Sequence, residues 1–241
     1  DFSIEAATAH ALADCAPLLD AVARERVGIE LTGILKTGRA GDALMRYPEL
    51  MCSALPELSA CRGFYQQDAC HDSDIYEHLA RVVSAVCGME PRPHLATVWA
   101  ALLHDVAKPH CFSSDEAGHG RCCGHPEASE RMARGVFKRL SISGDVAREA
   151  CLLIRYQDMP IGTTREDILR ALNRLSQGGG DALERMDALL DIKRADALGK
   201  MRDCGGYLEA CDKTQAYAHD LVDAGEAFSV QTLDLTGRDL I

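Results

Sequence analysis

A histidine followed by an aspartate at the end of an apolar run, His104-Asp105 in "LLHDVAKP", sets an imidazole nitrogen beside a carboxylate oxygen. Those are donors that divalent first-row metals accept. The pair alone is weak evidence, because neighbouring residues on a helix point about 100° apart and only one need face inward. His78, in the earlier stretch "EHLARVV", and Asp196, inside the later "RADALGK", complete a set of two imidazoles and two carboxylates. Mn, Fe, Co, Ni and Zn suit such mixed ligands, which leave positions for water and a substrate oxygen. A metal so held acidifies its water and polarises a phosphoryl oxygen, so hydrolysis of a phosphate ester is the reaction class these residues fit. Lys108, about one turn beyond His104, can neutralise a phosphate or serve as a dipole partner at a helix C-terminus. A second grouping, Cys111, His119, Cys122, Cys123 and His125, has the donor types of a structural zinc site. Its spacing matches no familiar zinc ligand pattern. His10, His71, His94 and His219 lack companions at ligand spacing and read as surface residues.

The elements that must carry these residues are helices. Ile75, Leu79, Val82 and Val86 recur as one buried helix face, with His78 beside it. A second helix over about 94–107 carries Leu95, Val98, Trp99, Leu102, Leu103 and Val106. Pro109 is expected to stop it, which places His104 and Asp105 in its last turns. Pro126 fits the first position of a helix that His125 enters, and a helix over about 144–157 ends in "RYQD". Thr164 and Asp167 stand at capping-box spacing, Asp181 is an N-cap candidate, and Asp196 lies deep in the pattern that follows. Another helix is expected over about 206–224. Residues 5–60 read as two or three helices broken near Gly38–Gly41 and at Pro48 and Pro56, with Val22, Val27 and Leu31 inward. No strand pairs or Asn-Gly hairpin turns stand out, so the fold class expected is all-α.

Composition narrows the function classes. The 241 residues are 47% hydrophobic and 26% charged, the profile of a globular protein with a substantial core. No apolar run reaches the roughly 20 residues that span a bilayer, and "DFSIEAATAH" lacks signal-peptide features, so the expected location is cytoplasmic. The eleven cysteines include no C-x-x-C pair and fit reduced thiols. A net charge of −11 argues against a surface that grips nucleic acid throughout. Two local basic stretches stand out: 131–155, with Arg131, Arg134, Lys138, Arg139, Arg148 and Arg155, and 24–46, with Arg24, Arg26, Lys36, Arg39 and Arg46. Each could hold phosphates or be a solvated helix face. The missing N-terminal Met suggests a fragment.

The motifs "EHLARVV", "LLHDVAKP", "GHPEAS", "LIRYQD" and "RADALGK", in this order, resemble the HD-domain metal-dependent phosphohydrolase superfamily. Together with "LLDAVARERVGIEL", the stretch from Leu102 to His125, and the tail "FSVQTLDLTGRDLI", they closely resemble the C-terminal half of bacterial CCA-adding tRNA nucleotidyltransferases and related poly(A) polymerases. The resemblance implies an HD-domain helical bundle over 66–200, a neck- or body-like helical segment over 1–65, and a C-terminal helix and tail over 201–241. It implies metal ligation by His78, His104, Asp105 and Asp196, with His125 and Asp158 as further ligand candidates. Asp105, Lys108 and His125 are the expected catalytic residues. Gln157 stands where active relatives resemble one another in having His, and Gln binds metal poorly. The resemblance further implies a divalent metal (Mn, Ni, Co, Fe, Mg or Zn) and hydrolysis of phosphomonoester or 2′,3′-cyclic phosphate ends of nucleotides or RNA. The expected partners are such an RNA 3′ end and tRNA. The Gly-rich strand and paired carboxylates of the nucleotidyltransferase head are not found, so nucleotide addition is not expected. The alternative is a non-catalytic tRNA-binding body.

Overall fold

The computed structural model describes residues 4–66, 73–114, 120–200 and 204–228. Its helices are α1 (Ala6–Cys15), α2 (Arg24–Leu35), α3 (Ala40–Arg46), α4 (Pro48–Ala54), α5 (Ile75–Cys87) and α6 (Leu95–Leu103). There follow α7 (Lys108–Cys111), α8 (His125–Arg139), α9 (Gly144–Tyr156), α10 (Arg165–Leu175), α11 (Ala182–Gly199) and α12 (Gly205–Asp223). The fold is all-α apart from one small ladder. The tail "SVQTLDLTGRDLI" lies outside the described residues.

The N-terminal segment divides more finely than its sequence suggests, with 3-10 turns at Ala16–Ala21 and Pro56–Cys61 between its helices. Pro48 and Pro56 do not simply break helices: each opens the next one, where the missing N–H leaves no bond unmade. Gly41 sits inside α3 rather than in a break. A Cβ there would lie 2.5 Å from that of Ser84, so α3 rests directly on α5. Likewise a Cβ on Gly28 would lie 2.2 Å from the Leu140 carbonyl oxygen, so α2 touches the backbone at the end of α8.

α6 is the axis of the core. It packs against α2, α5, α8, α9 and α11, and Ala96–Leu103 is buried along its whole length. Trp99 is fully buried and meets Phe137 of α8 edge to face, ring centroids 5.5 Å apart. α5 begins where Asp74 caps it: the carboxylate accepts from the Glu77 N–H at 2.8 Å and from the Gly63 N–H at 2.7 Å. That start puts Ile75, Leu79, Val82 and Val86 in the core, as their spacing predicts, and buries His78 with them. Thr164 and Asp181 cap α10 and α11 at the predicted positions.

α11 is pinned to α9 and α10 by a buried guanidinium. Arg185 donates to Glu149 at 2.7 and 2.8 Å and to the Leu175 carbonyl at 2.6 Å. Glu149→Ala would leave this cation without a carboxylate. The expected loss is about 2–3 kcal/mol in urea unfolding, less than for a fully buried pair because Glu149 keeps some solvent. Arg185 holds the Glu149 carboxyl below its ordinary 4.5. The contribution is therefore complete above that pH and is lost as pH falls through the lowered value.

Two sequence expectations need correction here. Ser113–Ser114 and Gly120–Arg121 pair antiparallel, Ser113 opposite Arg121, so a short two-stranded ladder does exist between α7 and α8. And α6 ends at Leu103, before the predicted stop. Pro109 opens the short α7 instead of closing α6. The chain between them turns through i→i+3 bonds, Val106 N–H to Leu103 O at 3.3 Å and Lys108 N–H to Asp105 O at 3.0 Å. Through this turn His104 and Asp105 both face inward, each 1% exposed.

Candidate metal centre

Two helices and one turn bring the predicted ligands to one point. His78 comes from α5, His104 and Asp105 from the turn after α6, and Asp196 from α11. One ligand atom from each of the four lies within 4.8 Å of the others. His78 Nε2 is 3.2 Å from Asp196 Oδ1 and 3.7 Å from Asp105 Oδ2; His104 Nε2 is 3.3 Å from Asp105 Oδ2 and 3.7 Å from Asp196 Oδ1. Asp105 also serves a second neighbour through its other oxygen: Oδ1 lies 3.1 Å from Nε2 of His125, the first residue of α8. Asp158 Oδ2 stands 3.4 Å from the same nitrogen, on a largely exposed side chain at the mouth.

The ring orientations test whether a cation fits. His104 Nδ1 lies 2.9 Å from the Ala101 carbonyl oxygen, and His125 Nδ1 lies 2.9 Å from that of Cys122. A carbonyl oxygen only accepts, so in both neutral rings Nδ1 carries the proton and Nε2 the lone pair. Both Nε2 atoms are buried without a hydrogen-bond partner among the described residues. Lone pairs aimed at carboxylate oxygens repel unless a proton or a metal stands between them, and this donor set suits a divalent ion.

Protons take that place when no metal is there. Burial alone would lower the pKa of His104, but Asp105 and Asp196 together, through charge and hydrogen bonding, outweigh it and push the group up to about 10. Burial alone would raise Asp105; His104 and Lys108 beside it hold it well below the usual carboxylate range. Asp196 is half-buried; desolvation alone would raise it, but contact with His104 and His78 holds it well below that range. For His78, burial wins and its pKa falls.

The site opens into a cavity of about 410 Å³ lined by Asp105, Lys108, Asp158, Asp196 and further residues of α11 and α12. Lys108 Nζ is 2.6 Å from Asp105 Oδ2 and donates to the Gln66 amide oxygen at 3.2 Å. Lys200 Nζ is 2.6 Å from Asp196 Oδ2. Gln157 donates its amide N–H to the His104 carbonyl at 2.5 Å, bracing the backbone behind the ligands. The sequence reading missed Lys193 and Lys200, although positions 193, 196 and 200 lie on one helix face. It also missed Tyr207, which lines the cavity from α12. The cysteine grouping does not converge among the described residues. Cys122 holds His125 through its carbonyl, and His119 lies outside them. Of the other histidines, His219 pairs with Asp187 at 3.0 Å, and His71 lies outside the described residues.

Gly199, at the end of α11, sets the spacing of the centre. A Cβ there would meet Val82 Cγ2 at 2.8 Å and the His78 ring at 3.3 Å. Gly199→Ala should therefore lower metal affinity by about tenfold to a hundredfold, as displaced supporting groups do, with no ligand removed. Titration of metal into the stripped variant measures it.

A helical bundle that brings two histidines and two aspartates together from two helices and a turn defines a class of metal-site proteins, and the chain belongs to the HD domain family. The HD domain matches residues 75–201, and residues 1–61 match a family described as "Probable RNA and SrmB- binding site of polymerase A". The chain is homologous to the C-terminal part of A-adding and CC-adding tRNA nucleotidyltransferases. It is 31% identical over 161 residues to the A-adding tRNA nucleotidyltransferase of Deinococcus radiodurans, covering 63% of this chain and 37% of that protein. It is 30% identical over 204 residues to the CC-adding tRNA nucleotidyltransferase of Thermus thermophilus, covering 83% of this chain and 44% of that protein. The chain thus spans less than half the length of these relatives. No helix among the described residues is long and apolar enough to cross a membrane.

Of the basic stretch at 131–155, Arg134 and Arg155 both bind Glu130, Arg139 binds Glu57 and Arg148 binds Asp145. Ion pairs within the protein thus engage most of its charge.

Proposed function

We propose that this chain is a metal-dependent phosphohydrolase acting on phosphomonoester or 2′,3′-cyclic phosphate ends of nucleotides or RNA. The observation that carries the reading is the convergence of His78, His104, Asp105 and Asp196 within 4.8 Å at the base of a lysine-lined cavity. In this reading residues 66–200 form the catalytic domain, residues 1–65 a body that meets tRNA, and residues 201–241 a C-terminal helix and tail. The four residues hold one divalent ion, which when bound acidifies water and draws charge from a phosphoryl oxygen. Asp105 orients His125 through Oδ1. His125, with its Nδ1 proton on the Cys122 carbonyl, turns Nε2 to that oxygen, so a proton taken up at Nε2 is held between the two. Lys108 balances phosphate charge at the same wall. Asp158, exposed at the mouth, is a further ligand position.

The test is release of phosphate or opening of the ring from 2′,3′-cyclic and 2′-monophosphate nucleotides by protein supplied with Mn, Ni or Co. Turnover that depends on the metal is expected. A second reading, a non-catalytic tRNA-binding body, draws on the match at residues 1–61 and on Gln157, which braces His104. Metal-loaded protein that hydrolyses none of these esters but binds tRNA with steep salt dependence would establish that reading instead.

A further inference from the structure

The ligands account for only part of the cavity wall. At about 410 Å³ the cavity is in the range of sites for whole small molecules, so it holds more than a phosphate group. Two lining residues have no task in the metal centre. Lys193 is largely buried, and its Nζ donates to the Gln157 backbone carbonyl at 2.6 Å. Unlike Lys108 and Lys200, it has no carboxylate within 4.0 Å among the described residues. Tyr207, in the first turn of α12, is 47% exposed although it lines the cavity. Burial of its hydroxyl pushes the phenol up to about 12, so the ring is neutral.

We propose that Lys193 and Tyr207 form the substrate side of this site: Lys193 binds the phosphate, and the Tyr207 ring stacks on the base of a nucleotide end. A cation without an anionic partner and a half-exposed aromatic ring in one cavity match a ligand with a charged end and a planar end. Base–aromatic stacking tolerates any base, so this subsite selects nucleotides over other phosphate esters without selecting among bases. The proposal rests on the phosphoesterase reading of the cavity.

The experiment compares 2′-AMP with β-glycerophosphate, which has no ring, in wild-type, Tyr207→Ala, Tyr207→Phe and Lys193→Met proteins supplied with Mn. KM and kcat are read where there is turnover, and calorimetric Kd in the same buffer where there is none. Tyr207→Ala should raise KM or Kd for 2′-AMP about tenfold, the low end for losing one stacked base, and leave β-glycerophosphate unchanged. Tyr207→Phe should restore it, and Lys193→Met should weaken both ligands alike. If Tyr207→Ala affects both ligands or neither, or wild-type protein does not prefer 2′-AMP, the subsite is overturned even where hydrolysis is present. Binding with this pattern but no hydrolysis overturns the catalytic reading and keeps the subsite.

Discussion

Asp105→Ala should leave the protein folded, with unchanged far-ultraviolet circular dichroism, while elemental analysis finds bound metal falling from about one ion per chain to a trace. Asp105 is shared more widely than the other ligands. One oxygen faces His78, His104 and Lys108, and the other faces His125. Removing it takes a charge from the metal set, the partner of Lys108 and the neighbour of His125 at once. Phosphoester hydrolysis should fall by more than about a hundredfold, since loss of outer residues alone typically costs 10–100-fold. Asp105→Asn, which keeps the shape, should lose metal too, because charge rather than packing is what the ion requires. A folded Asp105→Ala protein that retains its metal would sink the site.

Trp99→Ala should cost about 3–5 kcal/mol, the range for emptying a large aromatic position in a core. For a chain of this size that is a fall in Tm of about 6–20 °C. The indole is fully buried between helices that all meet α6, so the cavity has little chance to collapse. Its N–H, however, has no hydrogen-bond partner among the described residues. Trp99→Phe removes that unmet donor along with some volume, and it should cost much less than the alanine variant. Equal losses in the two would mean that the indole N–H contributes a bond.

The convergence of the four candidate ligands was legible in part, because His78 and Asp196 sit on predicted helices and His104 and Asp105 follow one. The α5 face carries His78 in with it, and Asp196 follows the buried Leu189, Ile192 and Ala195 on α11. Two features hid from that reasoning. The tight turn after Leu103, which faces both His104 and Asp105 inward, depends on i→i+3 bonds that hydrophobic periodicity does not encode. The ladder of Ser113–Ser114 with Gly120–Arg121 has too few residues to alternate visibly. Lys193 was readable from its spacing to Asp196. Tyr207 was not, because only the packing of α12 on α11 brings it to the cavity.

The close approaches at Gly28 and Gly41 bear on how such a chain can change. One abuts the backbone at the end of α8 and the other the flank of α5, both across the seam between the two family-matched segments. A seam closed by glycine against backbone gives neither side a pivot. The two segments are geared like one casting, and a chimaera that exchanged only one of them with a homologue would have to bring both glycines and the surfaces they touch.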